Sequence, residues 1–144
     1  MFGCNAVDPE HFDALGIPIV RGRLFSKHDR PRSNPVVIVN ETMARRPWSG
    51  QNPVGKRVVF FASPPELRTR TVVGVARDSK YINVYENPLP YVYTAMAQES
   101  SFMRSVYVRS SLAPEALVPG VLREIQRLDP ECRSPTCRSP TCGR

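Results

Sequence analysis

Short apolar runs, separated by polar breaks rich in proline and glycine, mark residues 7–131. Val36–Val39 is a continuous β-branched run, the pattern of a strand covered on both faces. Arg57 opens a second run, Val58, Val59, Phe60 and Phe61. In residues 69–79 the alternation predicts a strand with Val73 and Val75 on one face and Val72 and Ala76 on the other. Gly74 inside that strand marks a bulge or a close backbone approach. A turn with Pro88 and Pro90 feeds a further strand carrying Tyr91 and Tyr93 on one side, and residues 103–111 read as another. Residues 17–25 alternate imperfectly, and Pro18 excludes a central place in a sheet because it cannot donate to a ladder.

Helical signals interleave with these runs. In residues 7–16, Asp8 can cap the free N–H groups, Pro9 suits the first helical position, and Val7 with Phe12 occupies the staple positions. Gly16 fits a left-handed stop. Asn40 caps a second helix with Glu41 at its positive end and Arg45 and Arg46 at its negative end, limited by Pro47 and ending at Trp48. The longest signal runs from Leu112 to Pro130, where Leu117, Val121, Ile125 and Leu128 build one apolar stripe and Pro119 introduces a kink. These elements predict an α+β fold: short strands in one or two small mixed sheets, with the C-terminal amphipathic helix packed on one face. The organised domain spans 1–131. From Cys132 onward, "CRSPTCRSPTCGR" repeats without anything to bury and is expected to be a disordered low-complexity tail at 132–144.

Length and charge narrow the function. A chain of 144 residues is one domain, or a piece of a larger protein, able to bury roughly two thirds of its unfolded surface. No run approaches the roughly 18 apolar residues of a membrane span, and Met1–Val7 lacks the basic-then-apolar order of a signal peptide. The net charge of +7 includes Arg133, Arg138 and Arg144 in the tail, and the remaining excess is scattered, as on a solvated surface.

The chemistry-bearing residues form no reactive set. Gly50, Gly55, Lys56 and Arg57 imitate a phosphate loop, but they follow a helix and precede a strand, the reverse of the order that aims backbone N–H groups at an anion. Arg57 stands where that motif needs a hydroxyl for magnesium, so the stretch reads as a helix-to-strand turn. Cys132, Cys137 and Cys142 lack the paired spacing of a zinc site. His11 reads as a surface or helix-end histidine, and Lys27, His28, Asp29 and Arg30 as a solvent-facing loop. Tyr81, Tyr85, Tyr91, Tyr93 and Tyr107 read as half-buried sheet residues rather than base-stacking platforms. With no acid–base pair at a recognisable spacing, the expectation is a non-enzymatic domain with no catalytic, cofactor-binding or metal-binding residues and no cofactor.

The ordered set "VDPEHFDALGIPIVRGRLF", "VVIVNETMARR", "GQNPVGKRV", "TVVGVARDSKY", "PYVYTAMAQ" and "YVRSSLAPEALVPGVLREIQRLDP" resembles the MacB-like periplasmic core domain of FtsX/MacB-type ABC transporter permeases, especially the duplicated permeases of soil bacteria, over residues 5–131. That resemblance implies an extracytoplasmic domain on the outer side of the cytoplasmic membrane, attached through flanking membrane helices and devoid of an active site. It also implies a cognate ABC nucleotide-binding domain and a periplasmic adaptor protein as partners, with no nucleic acid. The family carries an aromatic residue where His11 stands, and its Pro-Gly turn is reordered into Pro47, Trp48, Ser49 and Gly50. Beyond Pro130 the family continues into a strand and a membrane helix, whereas this chain runs into its cysteine-containing tail, which implies a fragment of a permease. The alternative is a free-standing basic soluble domain that binds an anionic partner such as nucleic acid.

Overall fold

The computed structural model describes residues 2–60, 63–79, 87–99 and 107–128. The chain divides into two compact units, the first ending at Tyr107 and the second beginning at Val108. The first unit is built on one six-stranded mixed sheet. Its elements are β1 (Gly3–Val7), α1 (Glu10–Ala14), β2 (Ile19–Gly22), β3 (Val36–Asn40), α2 (Glu41–Trp48), β4 (Arg57–Val59), β5 (Thr69–Ala76) and β6 (Tyr91–Ala95). The strand order is β1-β6-β3-β5-β2, with β4 also paired to β5. β1 runs parallel to β6 and β3 parallel to β5, while the β3–β6, β2–β5 and β4–β5 pairs are antiparallel. β2 and β4 share one edge of β5 end to end, β4 against residues 69–71 and β2 against residues 74–76. The expected α+β class is what the chain adopts, and β2 lies at the end of the strand order, as Pro18 demands.

Two apolar layers hold the sheet. On the α1 face Val7, Phe12, Ile17, Phe25, Val36, Ile38, Ala76, Tyr93 and Ala95 are buried together. On the α2 face Val37, Val39, Ala44, Val72, Val75 and Val92 do the same. β3 therefore feeds both layers, as its unbroken β-branched run predicts. Each such side chain contributes about 1.5–3 kcal/mol by leaving water.

β5 departs from simple alternation. Against β3, Val37 pairs with Val72 but Ile38 pairs with Gly74, so Val73 is an extra residue. The bulge inverts the faces beyond it: Val72 and Val75 lie on the α2 side, Val73 and Ala76 on the α1 side. The expected pairing of Val73 with Val75 is corrected accordingly, although Gly74 had marked the spot. Gly74 is there because a Cβ would collide with the Arg23 carbonyl of the neighbouring segment.

Local signals set α1 and α2. Asp8 Oδ1 accepts the His11 N–H at 2.9 Å. At the other end Gly16, at φ 65°, donates to the Asp13 carbonyl and Ile17 donates to the Phe12 carbonyl, a double closure that ends the helix. α2 starts on Asn40, whose side chain accepts the Met43 N–H, and contains Pro47 in its last turn. In the second unit, α3 spans Pro114–Leu128 and runs through Pro119. Of the strand expected at residues 103–111, residues 103–106 lie outside the described residues, and residues 107–111 are not strand. β1 was not anticipated at all. The tail at 132–144 lies outside the described residues.

Candidate functional site

The turn at residues 49–57 joins α2 to β4, and four of its backbone donors are already engaged. Gln51 donates to the Trp48 carbonyl at 2.9 Å, Gly55 to Val72 at 2.8 Å and Lys56 to Pro53 at 3.0 Å. Val54 N–H reaches Asn52 Oδ1 at 3.2 Å. A phosphate cradle needs those N–H groups free and convergent. Here they stitch the turn to itself and to β5.

An open cleft of about 440 Å³ lies where β1 and β6 end, beside the start of α1. Val7, Phe25, Ala95 and Met96 form apolar walls, and Asp8, Asp29 and Glu99 bring carboxylates to it. Each carboxylate has a structural partner. Asp8 caps α1. Asp29 accepts both terminal nitrogens of Arg23 at 2.7 and 2.9 Å and the Ser26 N–H at 2.7 Å. Glu99 pairs with Arg70 at 2.8 Å. The hydrogen bonds from Arg23 hold the Asp29 carboxyl below its ordinary range, so it stays ionised and is a poor general acid. Asp29 is buried, which corrects its reading as solvent-facing: the loop wraps it around the Arg23 fork.

Arg70 is the most enclosed cation among the described residues. Its side chain is 2% exposed, its Nε donates to the Leu67 carbonyl at 3.0 Å, and Phe60 lies over its guanidinium at 5.5 Å. A buried charge survives only when paired in this way. The pair ties β5 to the segment after β6.

The tyrosines expected to be half-buried differ in burial. Tyr93 is fully buried, and Tyr91 lies beside it with ring centroids 5.2 Å apart. Tyr107 is exposed on one side and contacts His11 at 5.2 Å on the other. Tyr81 and Tyr85 lie outside the described residues. His11 itself stands at the end of a short helix, one of the two positions expected, but at 5% exposed it is not on the surface. The helix turns it onto the sheet, where it meets Phe12 at 5.5 Å and Tyr93 at 6.0 Å. Burial pushes its imidazole below the usual histidine range, against a smaller upward pull from Asp8. No sequence signal short of the aromatic residue expected at this position could have placed it in the core.

Among the described residues no group of three or more His, Cys, Asp and Glu side chains is placed to hold a metal ion. No helix there is long and apolar enough to cross a membrane. Cys132, Cys137 and Cys142 lie outside the described residues. The polar groups traced above serve the scaffold: caps, bulge, ion pairs and turn.

A mixed sheet with helices on both faces and polar groups committed internally defines an α+β scaffold domain. Residues 2–128 match the family described as the MacB-like periplasmic core domain, and the chain belongs to that family, a domain of MacB/FtsX-type ABC transporter permeases. The macrolide export ATP-binding/permease protein MacB of Aggregatibacter actinomycetemcomitans is 31% identical over 74 residues, 51% of this chain and 11% of that protein. MacB of Neisseria gonorrhoeae is 28% identical over 71 residues, 49% of this chain and 10% of the relative. The chain thus spans about a tenth of the length of these curated relatives. The crystal structure of the periplasmic region of MacB from Actinobacillus actinomycetemcomitans superposes with a TM-score of 0.62 at 21% identity, covering 87% of this chain and 56% of that one. A permease-protein domain from Porphyromonas gingivalis gives 0.55 at 21% identity, covering 96% and 68%. At such identity both show a shared fold.

Proposed function

We propose that the chain acts as a non-catalytic extracytoplasmic domain of an ABC transporter permease, coupling movement of the membrane helices to engagement of a substrate or an adaptor protein. The observation that carries this reading is the family match over residues 2–128. The internal commitment of the carboxylates at the cleft agrees with it: Asp8, Asp29 and Glu99 hold the fold and present no acid–base pair. Energy enters from the cognate nucleotide-binding domain through the parent permease, and a periplasmic adaptor is the second partner. No nucleic-acid partner is part of this reading. Family membership favours it over the free-standing basic domain, whose +7 charge includes arginines such as Arg23, Arg45 and Arg70 that are spent in ion pairs.

The test is made in the parent permease reconstituted in vesicles. Replacing residues 2–128 by a flexible linker is expected to leave ATP hydrolysis measurable while substrate movement is lost. Transport at the unmodified rate would overturn the coupling role.

A further inference from the structure

We propose that His11 is an acid-sensitive latch on Tyr107: the neutral imidazole holds the Tyr107 ring, and its protonation expels the imidazole from the aromatic nest and frees that ring. The geometry carries the argument. α1 is a five-residue helix pinned at one end by the Asp8 cap and at the other by the closure at Gly16, so the His11 side chain has a fixed origin. Its ring stands edge-on to Phe12 at 89° and to Tyr107 at 80°, and tilted to Tyr93 at 55°. Nε2 is buried and has no hydrogen-bond partner among the described residues.

Among the described residues, the titratable groups around the ring come from three segments. Asp8, at the start of α1, is the carboxylate that acts on it, and its Oδ1 is occupied by the His11 backbone N–H. β6 contributes Tyr93, with Tyr91 beside it, and the segment after β6 contributes Tyr107. Phenols are neutral at the pH where an imidazole titrates. A protonated ring would therefore place an N–H donor and a full charge among aromatic edges with no acceptor for Nε2 among the described residues, which the buried environment does not tolerate.

Which neighbour yields follows from burial. Phe12 and Tyr93 are locked in the core at 2% and 0% exposure, whereas Tyr107 is 46% exposed. Tyr107 is also the last residue of the first compact unit. Acidification therefore frees the Tyr107 ring rather than Phe12 or Tyr93.

The sign is set by linkage. The folded-state pKa lies below the ordinary value of 6.5, so the stabilisation is complete above 6.5 and is lost as pH falls from there through the folded value. Within that window the folding equilibrium constant drops by up to about tenfold per pH unit, the limit for one proton.

The experiment is an NMR titration of the full chain that follows the imidazole signals of His11 and the ring signals of Tyr107. The Tyr107 signals are expected to move with the His11 midpoint, to keep that midpoint in H28Q, and to lose it in H11F, whose stability should be flat across the same window. Tyr107 signals that stay fixed while His11 titrates, or that follow His28 instead, overturn the latch. Should H11F fail to fold, the titrations of the unsubstituted chain and of H28Q decide the question alone.

Discussion

At the end of β3, Asn40 is fully buried and uses both ends of its amide. Its Oδ1 accepts the backbone N–H groups of Met43 at 2.9 Å and Tyr91 at 2.8 Å, and its Nδ2 donates to the Leu89 carbonyl at 2.7 Å. N40A removes a helix cap and takes the side-chain partner from three part-buried backbone groups at once, so it should destabilise the chain by about 2–4 kcal/mol, measured by urea denaturation. A loss under about 1 kcal/mol would show that only the cap matters. The cap was legible because its partner stands three residues away. The links to Leu89 and Tyr91 were not, since nothing local points to partners some fifty residues downstream.

At the scale of elements, the β5 bulge decides more than any single contact. By inserting Val73 it lets both halves of the strand present apolar side chains to both faces of the sheet, Val72 and Val73 before the bulge and Val75 and Ala76 after it, while keeping register with β3. Gly74 is the position that allows it. A Cβ there meets the Arg23 carbonyl and comes within 3.4 Å of Ile38 Cγ1, backbone and core that cannot both retreat. G74A is expected to cost about 1–3 kcal/mol, read from the urea midpoint, and to loosen β2 first, which hydrogen exchange at Arg23 would report. An unchanged midpoint would mean that β2 moves aside freely. Alternation in the sequence located β5 and its irregular point, but a bulge's effect on facing is settled by the partner strand.

For the whole molecule, acid is the informative perturbation. Arg23 holds the Asp29 carboxyl below its ordinary value of 3.8, so this pair stabilises the fold above that pH and the stabilisation is lost as pH falls through the lowered value. The His11 contribution is lost in a separate window that opens below 6.5. Thermal unfolding followed from pH 8 to pH 2 should therefore lose stability in two stages. D29N is expected to lower the melting temperature at neutral pH and to flatten the second stage alone. A single featureless decline, unchanged by D29N, would count against the Arg23–Asp29 clamp as a source of stability.

The sequence by itself determined the features whose causes lie within a turn or a run: the doubly covered β3, the Asp8 cap and glycine stop of α1, the Asn40 cap of α2, and the inverted order that makes residues 49–57 a turn. Motifs spread along the chain also sufficed to indicate the family, with the match beginning at residue 2 rather than 5. Tertiary structure alone decided that Gly3–Val7 is a strand, because a segment with little β-branched character is held there by the ladder of β6. It also decided the facing of β5, the burial of His11 among aromatic rings, and the enclosure of Asp29. Those outcomes depend on neighbours that a local pattern cannot specify, since burial and register arise from the surfaces that meet.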